Sequence, residues 1–203
     1  MSNEAGHRWF AAIYGLMGPI CDRGLRPLRA SVVGAARGRV LEIGAGTGLN
    51  FPYYTAAESV VATEPDPFML RRARKQARGQ ARKLGLTIEF LQCTAEALPL
   101  PDASFDTVVS TLTLCTVGEP ARALAEVRRV LKPGGVFRFI EHVRGRGAFQ
   151  RRVQDVLTPV WCRLGAGCHL NRETAAGIEA AGFDITELQR RETPLLPLII
   201  GAA

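Results

Sequence analysis

Val40-Leu41-Glu42-Ile43-Gly44-Ala45-Gly46-Thr47-Gly48 is an apolar strand that runs straight into three glycines spaced two apart. Glycine carries no Cβ, so a glycine turn between a strand and a helix lets a ligand approach the backbone closely. A dinucleotide fingerprint reads G-x-G-x-x-G and needs its third glycine at position 49, where this chain has Leu49. Glu42 stands two residues before the first glycine. Its charge repels a pyrophosphate and suits a sulfonium or an ammonium. Glu42, Gly44, Ala45, Gly46 and Gly48 therefore read as the binding turn for a methyl donor, S-adenosylmethionine, which has no phosphate.

The chain has 203 residues, 47% apolar and 22% charged, a size and composition suited to one α/β domain with a full core. We expect a single domain over 1–203, with residues 1–36 supplying N-terminal, substrate-side helices or a lid and residues 37–203 the cofactor-binding core. Five cysteines without a C-x-x-C pair argue for reduced thiols in a cytoplasmic setting and against a disulfide frame or a structural zinc site. The net charge of +7 gathers partly in Arg71-Arg72-Ala73-Arg74-Lys75 and in Arg78, Arg82 and Lys83. On a helix these side chains occupy more than one face and read as solvated surface. No aromatics interleave with them, which argues against a nucleic-acid partner.

The apolar patch Trp9-Phe10-Ala11-Ala12-Ile13-Tyr14-Gly15-Leu16-Met17-Gly18-Pro19-Ile20 is too short to span a bilayer and is followed by no cleavage pattern. Two readings fit it. One is an amphipathic lid that brings Tyr14 to the substrate side; the other is a helix resting peripherally on a membrane.

Strand and helix patterns alternate along the rest of the chain, which implies parallel β-α-β units. Strands are expected near 39–43, 59–63, 87–91, 107–111 and 136–140. A helix should follow the glycines, with others over about 67–84, 119–131, 148–164 and 172–181. The helix over 119–131 should stop at Lys132-Pro133-Gly134-Gly135, a breaker. Two late strands, near 183–191 and 196–201, would finish a seven-stranded, Rossmann-like, mostly parallel sheet with an antiparallel last strand and helices on both faces. Ligands of such sheets sit at the carboxyl ends of the strands.

The residues just after each strand therefore matter most. Glu64, followed by Pro65, ends strand two, where an ionised carboxylate can accept both hydroxyls of a ribose. Thr94, Ala95 and Glu96 follow strand three and are placed to read an adenine through backbone groups or a side-chain acceptor. Thr111 and Leu112 follow strand four and should pass beneath the cofactor. Cys115 lies beyond them as an apolar wall of the substrate side. Glu141 and His142 close strand five and are the catalytic candidates; His142 either assists deprotonation of the acceptor or caps the strand.

The glycine run, Glu64-Pro65-Asp66, Ala95-Glu96-Ala97-Leu98-Pro99 and Val130-Leu131-Lys132-Pro133-Gly134-Gly135 together resemble a class I S-adenosylmethionine-dependent methyltransferase. Further stretches narrow the resemblance. Ser110-Thr111-Leu112-Thr113-Leu114-Cys115-Thr116-Val117, Phe139-Ile140-Glu141-His142-Val143, Gly167-Cys168-His169-Leu170-Asn171-Arg172-Glu173-Thr174 and Pro197-Leu198-Ile199-Ile200-Gly201 are similar to the thiol S-methyltransferases of the methyltransferase-like group. The resemblance covers residues 38–203. It implies methyl transfer from S-adenosylmethionine to the thiol of a small molecule, with Tyr14, Cys115, His169 and Arg172 on the substrate side. Animal members begin with a hydrophobic anchor, and this chain has only the short patch at 9–20, which implies a soluble or peripheral form. The group has Asp where this chain has Glu64, a longer arm with the same ribose chemistry. The sequence also resembles enzymes that methylate a phospholipid amine such as phosphatidylethanolamine, the alternative acceptor.

Methyl transfer from a sulfonium is an in-line displacement in which the protein mainly positions the reactants and excludes water. A free thiol has a pKa near about 8.5, so a base or a nearby cation that favours the thiolate speeds attack. Cys168-His169 forms half of a metal site, but no further ligands stand at suitable spacing in sequence, so catalysis is expected to need no metal.

Overall fold

The computed structural model describes residues 22–165 and 167–203. Period-two burial in the strands decides its layering, because successive strand side chains point to opposite faces. In β1 (Gly38–Ile43), Val40 packs into one apolar layer while Leu41 and Ile43 pack into the other. β4 (Phe105–Thr111) divides in the same way, Val108 to one layer and Val109 to the other. With β2 (Ala57–Thr63), β3 (Thr87–Leu91), β5 (Leu131–His142), β6 (Glu187–Arg191) and β7 (Leu198–Ala202), they build one seven-stranded sheet of order β3-β2-β1-β4-β5-β7-β6. β1 to β5 run parallel, and β7 lies antiparallel to both β5 and β6.

Helices cover both faces. α1 (Arg26–Val32) sets Leu28 and Val32 against Ile140, Leu198 and Ile200. On the same face, α2 (Pro67–Leu84) buries Ala73 and Ala77 against Val40, Val60 and Val109. Asp66 Oδ1 accepts the amides of Phe68 and Met69, which caps the start of α2. The arginines of α2 face solvent, as the spread of charge around the helix predicts. On the opposite face, α3 (Pro120–Val130) buries Ala123, Leu124, Val127 and Val130 over Phe105, Phe137 and Phe139, beside Ile178 of α5 (Thr174–Ala180). α4 (Ala148–Leu164) lies between β5 and α5 in the chain and holds Trp161 near the end of β4.

Two expectations need correction. No α-helix follows the glycines: only a 3-10 turn, Phe51–Tyr53, forms there. Pro52 has no amide to donate, and Asn50 and Tyr54 on either side of the turn send their side chains back to Glu42. Lys132-Pro133-Gly134-Gly135 ends α3 but does not separate it from the strand. β5 already starts at Leu131, opposite Phe105, and absorbs the Pro-Gly-Gly segment as an irregularity before Val136 pairs with Thr107. The expected patch at 9–20, with Tyr14, lies outside the described residues. Among the described residues no helix is long and apolar enough to cross a membrane.

Candidate functional site

The chain leaves β1 towards β2 on one side, while β4 occupies the other, so the strand order reverses between β1 and β4. Open α/β sheets hold ligands in the crevice outside the strand ends at such a point. The glycine run enters this crevice. A Cβ on Gly44 (φ +64°) would stand 2.4 Å from Thr113 Oγ1, whereas one on Gly46 (φ +57°) would meet no atom within 4 Å. The first glycine makes room for the protein itself. The second borders open space, a cradle that a side chain would fill.

Glu64 faces this cradle. Its Oε2 accepts the Gly46 amide at 2.8 Å and its Oε1 the Asp66 amide at 3.0 Å. Burial raises its carboxyl pKa, and the two amides oppose that rise. Each carboxylate oxygen still has a lone pair for another donor. An open glycine cradle beside a carboxylate acceptor is a donor set that fits S-adenosylmethionine. Ala45 donates its amide to Thr63 O at 2.8 Å, which locks the turn onto β2, and Pro65 is exposed beside it. Glu96 is partly engaged elsewhere: its Oε1 accepts the amides of Gly118 and Glu119 at the start of α3.

Glu42 does not reach the cradle through its carboxylate. It is 2% exposed, and its oxygens accept Asn50 Nδ2 at 2.8 Å and Tyr54 OH at 2.9 Å. Asn50 Nδ2 also donates to Thr111 Oγ1, and Asn50 Oδ1 accepts from Arg29, which pairs with Asp22 at 2.8 Å. Burial pushes the Glu42 carboxyl up to about 7, against the Tyr54 and Asn50 hydrogen bonds and the Arg29 charge. The direct sulfonium or ammonium contact expected of Glu42 is thus replaced by a buried network under the crevice. Arg29, Asn50 and Tyr54 carried no signal in the sequence, because each is an ordinary residue until the fold brings it to Glu42.

The ends of β4 and β5 are built differently. Leu112 adopts φ +57° at the end of β4 and donates its amide to Ile140 O of β5. From there the loop is gripped twice. Glu141, fully buried, accepts the amides of Thr113 and Leu114 at 3.0 Å, the amide of Cys115 at 3.3 Å and the Ser110 hydroxyl at 2.6 Å. Arg172 donates to the carbonyls of Leu114 and Val117. Glu141 is therefore a positioning group, and its expected catalytic role is corrected: no face of its carboxylate is left for a substrate. Arg172 likewise acts on the loop's backbone.

This grip sets Cys115 beside two partners. Its Sγ lies 3.6 Å from Cys168 Sγ, which in turn lies 3.7 Å from His142 Nδ1. The Cys115 thiol and His142 favour ionisation of Cys168, whose pKa falls to about 5 despite burial; Cys115 is pushed well above the usual thiol range. His169 turns away, its Nδ1 2.7 Å from Gly167 O, while its amide holds Cys115 O. Near neighbours in sequence offer Cys168 and His169 no further ligands, but distant ones do. The structure gathers Cys115, His142 and Cys168 from three separate segments, with all three ligand atoms within 4.8 Å of one another. A surface groove of about 700 Å³ between α3 and α5 contains none of these groups.

Residues 41–139 match the family model described as a methyltransferase domain. Thiol S-methyltransferase TMT1B of Rattus norvegicus and that of Homo sapiens are each 40% identical to the chain, over 80% and 82% of it and 66% and 69% of their own length. The chain thus spans about two thirds of these relatives. A phosphatidylethanolamine N-methyltransferase of Cereibacter sphaeroides is 36% identical over 66% of the chain and 64% of its own length. Among solved structures, a SAM-dependent methyltransferase from Methanosarcina mazei superposes with a TM-score of 0.65 at 24% identity, covering 81% of this chain and 91% of that one. That likeness concerns the fold alone.

Proposed function

We propose that this chain, which belongs to the class I S-adenosylmethionine-dependent methyltransferases, transfers a methyl group to the thiol of a small molecule. The observation that carries the choice of a thiol is the commitment of Glu141. An amine acceptor arrives as an ammonium and must give up a proton before its nitrogen can attack, a task suited to a free carboxylate, and Glu141 is spent on backbone amides and a hydroxyl. What remains around Cys115 is sulfur and imidazole, surroundings suited to a soft acceptor. The identity to thiol S-methyltransferases supports the same reading.

Bound S-adenosylmethionine supplies an activated methyl group on a sulfonium. Glu64 would hold the ribose, the Gly46 backbone would allow close approach, and Thr94 and Ala95 would meet the base. Thr111 and Leu112 would border the bound cofactor. Glu42 acts at second hand, fixing Asn50 and through it Thr111. Positioning of acceptor and methyl in line and exclusion of water supply most of the rate. The acceptor must also be ionised, and His142 is the group placed to favour its thiolate.

The test is to incubate the protein with labelled S-adenosylmethionine and a panel of thiols, amines and phenols, and to identify products by mass. Methylated thiols are expected. Products from amines alone would overturn the reading.

A second reading concerns place rather than chemistry. In α4, Phe149, Val156, Val160 and Leu164 are 82%, 70%, 57% and 70% exposed, share one stripe of the helix and are flanked by Arg152 and Arg163. An apolar stripe edged by cations suits a peripheral contact with an anionic membrane. Co-sedimentation with anionic vesicles, lost on replacing Phe149 and Val160 by Asp, is the expected result. Equal pelleting of both proteins would remove it.

A further inference from the structure

Cys115, His142 and Cys168 come from the ends of β4 and β5 and from the segment after α4, and they converge on one point at the acceptor side of the crevice. We propose that these three residues bind a thiophilic divalent cation of the Zn2+ type, with a fourth coordination position open to the acceptor thiolate. The metal site stands on the geometry alone; the use of its open position rests on the thiol reading above.

The distances suit the ion. Tetrahedral zinc with bonds of about 2.3 Å to sulfur and about 2.0–2.1 Å to nitrogen sets its ligand atoms about 3.5–3.8 Å apart. The structure holds Cys115 Sγ and Cys168 Sγ at 3.6 Å, and Cys168 Sγ and His142 Nδ1 at 3.7 Å. The third edge is no longer than 4.8 Å, and His142 is half-buried. The two sulfurs are free thiols, far beyond the about 2.0 Å of a disulfide bond.

The ligands are also held in place. Glu141 fixes the Cys115 amide and the His169 amide fixes the Cys115 carbonyl. His142 is paired in the sheet opposite Leu198. The Cys168 amide is bound to Gly165 O. Two thiolates cancel the charge of a divalent ion, so a buried site carries no net charge to be stranded away from water. Sulfur and imidazole select zinc-like ions over magnesium or calcium. Among the described residues no fourth His, Cys, Asp or Glu joins the cluster. Three protein ligands and an open position are the arrangement of a catalytic rather than a structural zinc.

The chemistry balances without a further reagent. The acceptor thiol coordinates the ion and gives its proton to solvent. A sulfur lone pair then attacks the methyl carbon of the sulfonium. The carbon–sulfonium bond breaks with its electron pair remaining on the donor sulfur, which becomes a neutral thioether. One proton is released per turnover, and the methylated product, a weaker ligand than a thiolate, leaves.

The experiment uses reduced, chelator-stripped full-length protein titrated with Co2+ as a spectroscopic stand-in. Saturation at one equivalent, with a thiolate-to-cobalt charge-transfer band that Zn2+ displaces, is expected. The band should disappear in Cys115→Ser and in Cys168→Ser and persist in Cys93→Ser. Calorimetry of S-adenosylmethionine binding checks that each variant is folded, and His142→Asn, which alters the band without removing a sulfur, serves should a serine variant fail to fold. Absence of the band, or its survival in both Cys115→Ser and Cys168→Ser, overturns the site. Adding a small alkyl thiol to the cobalt protein should shift the band. An unchanged band overturns the open position while leaving the metal site. Metal binding without any methylated thiol would instead sink the proposed function and not the site.

Discussion

Glu64 and Glu141 both stand at the carboxyl ends of parallel strands, and both are buried, yet they serve opposite purposes. Glu64 ends β2 and accepts two backbone amides, one from the glycine turn and one from the cap of α2, and 8% of it stays exposed towards the crevice. Glu141, near the end of β5, accepts three amides and a hydroxyl and is 0% exposed. A carboxylate's four lone-pair sites set the limit. Glu64 keeps a lone pair on each oxygen for a ligand, while Glu141 carries four donors from the chain, three of them on Oε1, and is closed to any ligand by its burial. The donor edge therefore presents charge to its ligand. The acceptor edge turns its charges, Glu141 and Arg172, inward onto one loop and presents sulfur and imidazole instead. Position at a strand end nominates a residue; the number of internal donors around it decides what it does.

The sharpest way to break this comparison lies at the donor edge. Gly46→Val should abolish S-adenosylmethionine binding in calorimetry, because its side chain occupies the cradle. Its cost to stability should stay near the about 1–2 kcal/mol of a left-handed backbone strain, since a Cβ there meets nothing within 4 Å. Glu64→Ala should weaken binding about 10–100-fold, the worth of hydrogen bonds to a charged acceptor. Unchanged affinity in both would remove the cofactor site from this edge.

At the acceptor edge the corresponding effect is on rate. His142→Ala should lower turnover near neutral pH by about 10²–10⁴-fold while leaving cofactor affinity intact, and the loss should shrink as pH passes the acceptor's own pKa. A folded variant with the wild-type rate at every pH would take His142 out of the chemistry.

The two carboxylates themselves provide the next contrast. Glu141→Ala should destabilise the fold by about 3 kcal/mol or more, because each stranded buried donor costs about 1–3 kcal/mol. Glu64→Ala should cost clearly less, since its donors lie at the crevice. Thermal unfolding of both variants checks this, and equal losses would erase the distinction between a ligand-facing and a chain-facing carboxylate.

Much of the donor edge was legible in the sequence. Its parts are local: a strand, three glycines and an acid at the next strand end, each readable from hydrophobic periodicity and backbone chemistry. The helix over 67–84 and the strand over 87–91 fall where the pattern puts them, bounded by a cap at Asp66 and by Gly85. The acceptor edge was less legible because it is assembled from distance. Cys115, His142 and Cys168 each had an ordinary separate reading, and only the pairing of β4 with β5 and the return of the chain after α4 make them one group. Glu141 beside His142 invited a catalytic role, but the amides of the loop after β4 occupy its carboxylate instead. The helix expected after the glycines failed for a related reason. Asn50 and Tyr54 bond to Glu42 across the turn, a tertiary preference that local propensity does not contain.

Glu42 occupies the middle ground, and its smaller effect is read in pH. It ends neither free like Glu64 nor saturated by amides like Glu141, but bonded sideways to Asn50 and Tyr54. Burial raises its carboxyl from 4.5 to about 7 in the folded chain. The folded state therefore holds this proton more tightly than the unfolded state. Its stabilising contribution is complete below pH 4.5, falls as pH rises, and is lost once pH passes about 7. Glu42→Gln has no proton to lose, so the stability difference between wild type and variant should change by about 1 kcal/mol per pH unit across that window and level off on either side. Urea unfolding at a series of pH values measures it. Parallel stability curves for the two proteins would mean that Glu42 is ionised in the folded state as readily as in water, and the network of Arg29, Asn50 and Tyr54 would then have to be read as a solvated site for charge.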